Sequence, residues 1–105
     1  MATNILVETK PIASVETLLY VVGLDSSTTG TVFCMNQSAY DDKISVALVP
    51  FGSRIAPNSY IAYKATINSG HSVYLQQLAL GFGDKILVTS SAGSTNFIFT
   101  GHSVP

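Results

Sequence analysis

Residues 42–67, DKISVALVPFGSRIAPNSYIAYKATI, hold two strand signals joined by a turn-rich connection, and the rest of the chain reads as strands added to that pair. Ile44, Val46 and Leu48 alternate with Ser45, Ala47 and Val49, which predicts a strand with one fully apolar face against a core. Pro50 cannot donate to a ladder, and Phe51-Gly52-Ser53 followed by Ala56-Pro57-Asn58-Ser59 supplies the residues that reverse a chain. From Tyr60 to Ile67 the alternation predicts Ile61, Tyr63, Ala65 and Ile67 on one face and Tyr60, Ala62, Lys64 and Thr66 on the other. The aromatic and β-branched content suits a pleated surface rather than a helix.

The same pattern recurs on both sides. Asn4 to Thr9 reads as a short apolar strand stopped by Lys10-Pro11. Residues 1–17 are expected to be an N-terminal arm or an edge strand, and residues 18–105 the sandwich domain. Val15 to Leu24 reads as a strand buried on both faces, closed by Gly23 and Asp25. Thr28 to Asn36 places Val32, Cys34 and Asn36 on one face and Thr31, Phe33 and Met35 on the other, and the short link into Ile44 predicts a hairpin. His71 to Gln77, Lys85 to Ser91 and Asn96 to Ser103 are further strands, with the glycine-broken stretch 78–84 as a loop. About eight strands with turns at short spacing predict an all-β single domain, an antiparallel β-sandwich or jelly-roll-like fold, with a closed barrel as the other arrangement such a pattern allows. The triplet Asp-Lys-Ile opens strands at both 42 and 84, which reads either as chance or as a trace of two related halves.

At 105 residues the chain carries one core. It is 47% hydrophobic and only 10% charged, against about 25% charged in an average soluble protein. A compact chain of this size exposes about 5,600 Å², which is more surface than so few charges ordinarily serve. The composition therefore predicts a fold covered by other subunits, against the alternative of an exterior kept wet by Ser and Thr. Lys10, Lys43, Arg54, Lys64 and Lys85 are scattered, so no basic stripe marks nucleic acid as a partner. No apolar run approaches the length of a membrane helix, and the N-terminus lacks the pattern of a secretory leader. The expectation is synthesis in the cytoplasm with no membrane partner.

Chemistry-bearing residues are few. Cys34 stands in mid-strand between Phe33 and Met35, where a small buried hydrophobe is expected rather than a nucleophile served by His71 or His102. Asp41 and Asp42 point to opposite faces of an extended chain and are expected to solvate a turn. Gly81-Phe82-Gly83-Asp84 lacks the third glycine and the following helix of a phosphate loop. Asn36-Gln37-Ser38 fits a glycosylation sequon without a secretory route. Five tyrosines without tryptophan would suit a sugar or peptide groove, and core or rim packing accounts for several of them. No catalytic, metal or cofactor residue is predicted, so the chain reads as no enzyme.

The order TLLYVV (17–22), TVFCMNQS (31–38), ISVALVP (44–50), NSYIAYKATINSGHSVYL (58–75) and GDKILVTSS (83–91) resembles the small all-β accessory virion proteins of tailed bacteriophages, cyanophages included. The similarity spans about Leu18 to His102 and rests on short, mostly structural motifs. It implies a non-enzymatic structural protein located in the virion. Capsid cement or decoration, seated against the major capsid protein, is the leading expectation. A tail, baseplate or fibre position with receptor or glycan binding through residues 51–58 is the alternative. Virion symmetry suggests a homotrimer, and Ile5, Leu6, Val7, Phe51, Arg54 and Tyr60 are the expected subunit-interface residues.

Overall fold

The computed structural model describes residues 4–23, 26–54 and 59–104, with side chains from Leu6 onward. The predicted turn at Ala56-Pro57-Asn58, the closure at Leu24-Asp25 and the side chain of Ile5 lie outside the described residues. Among the described residues nine antiparallel strands follow in order: β1 (Asn4–Thr9), β2 (Thr17–Val21), β3 (Ser27–Asn36), β4 (Asp42–Val49), β5 (Tyr60–Ile67), β6 (Ser72–Tyr74), β7 (Leu78–Leu80), β8 (Lys85–Ser90) and β9 (Thr95–Val104).

They form two sheets. The first runs β1-β9-β3-β6 with β7 also on β3, and the second runs β2-β8-β4-β5. Strands β6 and β7 pair with the two ends of one strand, at Phe33–Met35 and Thr28–Gly30. Counted as one interrupted strand, they complete the eight-stranded pairing of a jelly roll. The sandwich closes on Val32, Cys34, Ile44, Val46, Ile86, Val88, Phe97 and Phe99, all buried. β3 and β9 pair over their full length, Ser27 with Val104 through Asn36 with Thr95. Gly30 faces Gly101 in that ladder, and a Cβ on Gly30 would stand 2.3 Å from the Thr100 carbonyl and 2.9 Å from the Phe99 ring. Only a hydrogen fits there.

Several expectations are corrected. β3 and β4 lie in different sheets, so residues 37–41 cross between layers and make no hairpin. β2 is an edge strand with Leu18 and Val21 exposed, rather than one buried on both faces. Residues 78–80 are a strand because buried Leu78 and Leu80 cap the core beside β3. Tyr63 is turned out to solvent, 60% exposed, because β5 loses its alternation. Its register slips by one residue at Tyr63–Lys64, opposite Ser45, and again at Ile61, and Lys64 takes the left-handed conformation at φ 49°.

Such slips are a property of the edges. β1 carries an extra residue at Leu6 and β2 one at Leu19, each opposite a regular inner strand. The fourth edge is made of two three-residue strands. Bulged or very short edges resist pairing with another chain's backbone.

Candidate functional site

An aspartate organises each end of the sandwich. At one end, β4 begins with Asp42, whose side chain points inward and is 2% exposed. The expectation that it solvates a turn is corrected. Its carboxylate accepts hydrogen bonds from the hydroxyls of Ser90, Thr95 (2.6 Å) and Ser94 (3.3 Å) and from the Ala92 N–H (2.9 Å). Burial by itself raises its pKa, but the donors at Ser90, Thr95, Ala92 and Lys43 outweigh it and hold the carboxyl below its ordinary 3.8. Beside it, buried Asn36 donates to the carbonyls of Tyr40 (2.7 Å) and Ile67 (3.0 Å) and accepts from Ser38 and from Ser94 (2.9 Å). The two side chains share Ser94 and fasten the turns after β3, β5 and β8. The sequon asparagine is thus consumed inside the fold.

At the opposite end Asp84 accepts from the Phe51 N–H (3.0 Å) and the Gly81 N–H (2.9 Å). Its own carbonyl accepts from the Val22 N–H. Gly83, at φ 77°, leaves the room that the Phe51 ring fills. Phe51 then stands 5.0 Å from Phe82, both exposed at the tip. The two Asp-Lys-Ile triplets therefore start neighbouring antiparallel strands from opposite ends, each with its aspartate tying turns.

The groups weighed for catalysis do not converge. Cys34 faces the core, and burial pushes its thiol up to about 12. His102 lies on β9 at an outward position, opposite Thr29, and His71 sits exposed on the turn before β6, its Nδ1 2.9 Å from the Ser69 carbonyl. Among the described residues no three His, Cys, Asp or Glu gather as a metal site.

What remains is surface. On the second sheet, register aligns Leu18, Leu87, Ala47 and Tyr60 in one row across β2, β8, β4 and β5. Ala47 and Val49 are buried yet stand apart from the core cluster, because they face outward. The outward positions of these strands carry Lys43 and Lys85, with Lys64 5.3 Å over the Tyr63 ring, and no carboxylate. Tyr60 and Tyr63 pair edge-on at 4.8 Å. On the first sheet the corresponding row is Glu8, Ile98, Phe33 and Tyr74, with Met35 beside Phe33. The Phe33 and Tyr74 rings pack at a tilt of 51° with centroids 4.7 Å apart, and Tyr74 is 75% exposed. Around them the outward residues are Thr29, Thr31, Thr100, His102, Asn96 and Ser72.

The six residues expected at an interface are dispersed. Leu6 and Val7 are half-buried against the core, and Ile5 pairs with Thr100 in the ladder. Phe51 and Arg54 are exposed after β4, and Tyr60 is half-buried in the second sheet's row. Sequence reasoning missed Leu18, Ile98, Phe33 and Tyr74. Alternation set Phe33 on the face of Thr31 and Met35, but which face met solvent depended on the pairing. No family model, curated protein or solved structure matches the chain.

Proposed function

We propose that this chain is a non-enzymatic structural module of a tailed-phage virion, a capsid cement protein that seats its sheet faces on neighbouring shell subunits. The observation that carries this reading is the combination of outward apolar side chains on both sheets, Leu18 and Leu87 on one and Ile98, Phe33 and Met35 on the other, with edges that are bulged or short. Such a molecule associates through its faces, and not by adding strands. The exterior has few charges to oppose it: five Lys and Arg and six Asp and Glu share 5959 Å² of surface, and one of those carboxylates, Asp42, is inside. The resemblance to accessory virion proteins supplies the context. The jelly roll, found in viral capsid domains and also in lectins and cupins, is compatible with it without selecting it.

Probing purified particles with an antibody to this chain tests the reading. Signal at regular shell positions is expected, with particles stripped of the protein breaking at lower temperature. Absence of the chain from washed particles would defeat it. A second reading, glycan binding at a tail tip, has one observation in its favour: exposed Tyr63 set edge-on against half-buried Tyr60, with Lys64 at a strained bulge. Retention on a glycan array, lost in Tyr63→Ala, would favour it.

A further inference from the structure

We propose that the outer face of the first sheet packs on the same face of a second copy of this chain, about a twofold axis between β9 and β3. The inference rests on the assembly reading above and names one of its partners. Charge sorts the two faces. The second sheet presents Lys43, Lys64 and Lys85 with no outward carboxylate on its strands, so pairing it with itself would set lysines against lysines across a drying interface. The first sheet's strands present no Lys or Arg outward and a single carboxylate, Glu8, on the edge strand.

The row across that face is self-complementary. It reads Glu8, Ile98, Phe33, Tyr74 from one edge to the other. Rotated by half a turn, Ile98 covers the partner's Phe33, Phe33 covers the partner's Ile98, and each Glu8 meets the partner's Tyr74. The carboxylate then accepts a hydrogen bond from the phenol at either rim, and the two Glu8 groups stay apart. Met35 widens the apolar centre, and the threonines around it can be covered without stranding a charge. The molecule is 41 × 32 × 20 Å, so its broad face is larger than the roughly 800 Å² per partner of a stable interface. An isologous contact closes on itself, which leaves the lysine-bearing face of each copy for a different neighbour.

Sedimentation equilibrium of the full chain between about 1 and 200 μM, a range that brackets μM dissociation constants, is the test. A dimer is expected, its dissociation constant raised at least ~10-fold by Ile98→Glu and by Glu8→Lys, the effect of losing an interface anchor. Because Tyr74 is so exposed, Tyr74→Glu leaves the fold intact and weakens the dimer alike, while Glu8→Lys combined with Tyr74→Glu restores it. Leu18→Glu on the other face leaves it unchanged. A monomer throughout the range overturns the pairing, as does a dimer that responds to Leu18→Glu and ignores Glu8→Lys. A monomer that still decorates particles overturns only this inference; a dimer absent from particles overturns only the virion role.

Discussion

Asp42 is a buried carboxylate with no cation against it among the described residues, held by three hydroxyls and a backbone N–H. A charge so placed is tolerated because donors converge on it. In Asp42→Asn the hydroxyls can turn to accept, but the Ala92 N–H loses part of its acceptor to an amide that itself brings donors. A loss of about 1–3 kcal/mol in urea unfolding is expected. The pH dependence follows from the lowered carboxyl. The folded protein releases this proton more readily than the unfolded chain, so the stabilisation is full above 3.8 and fades as pH falls below it through the folded value. Wild-type stability should drop in that acid window more steeply than that of Asp42→Asn; equal slopes would show that the carboxylate contributes nothing. Cys34 gives a second expectation at this scale. With its thiol at about 12 and its side chain in the core, it should resist alkylation at pH 8 until denaturant is added.

Among elements, the β3–β9 ladder carries the sandwich and the edges are loosened by design. Amide exchange should be slowest in β3, β9, β4 and β8 and fastest in β6, whose three residues are all exposed. Uniform protection across β6 and β9 would contradict that ranking. Gly30→Ala tests the ladder directly. The added methyl would collide with the Thr100 carbonyl and the Phe99 ring, so a cost of at least ~2 kcal/mol is expected from thermal unfolding.

For the whole molecule, topology sets the folding rate. Among the described pairings only β4 and β5 join strands adjacent in the chain, while β1 waits for β9 and β2 for β8. Such non-local closure predicts refolding over about milliseconds to seconds by stopped-flow fluorescence of the tyrosines. A microsecond phase accounting for the full amplitude would be incompatible with this pairing. Nor should association through apolar faces weaken appreciably when salt is raised, since screening acts on exposed charges; a strong salt dependence in sedimentation would point instead to the lysines.

The sequence by itself determined the all-β class, the organising strand pair at 42–67 and the shared face of Val32, Cys34 and Asn36, because alternation is a local property written every second residue. It also marked Cys34 as a packed side chain. Only the tertiary structure decided which strands share a sheet, and therefore that 37–41 is a crossing, that β2 is an edge and that the hydroxyls of Ser90, Ser94 and Thr95 meet at Asp42. Pairing is a choice among distant partners of similar pattern, and a one-residue bulge reverses every face after it. That is why Tyr63 left the face its alternation assigned, and why the rows of Ile98, Phe33 and Tyr74 or Leu18 and Leu87 exist only once three or four separate strands have found their register.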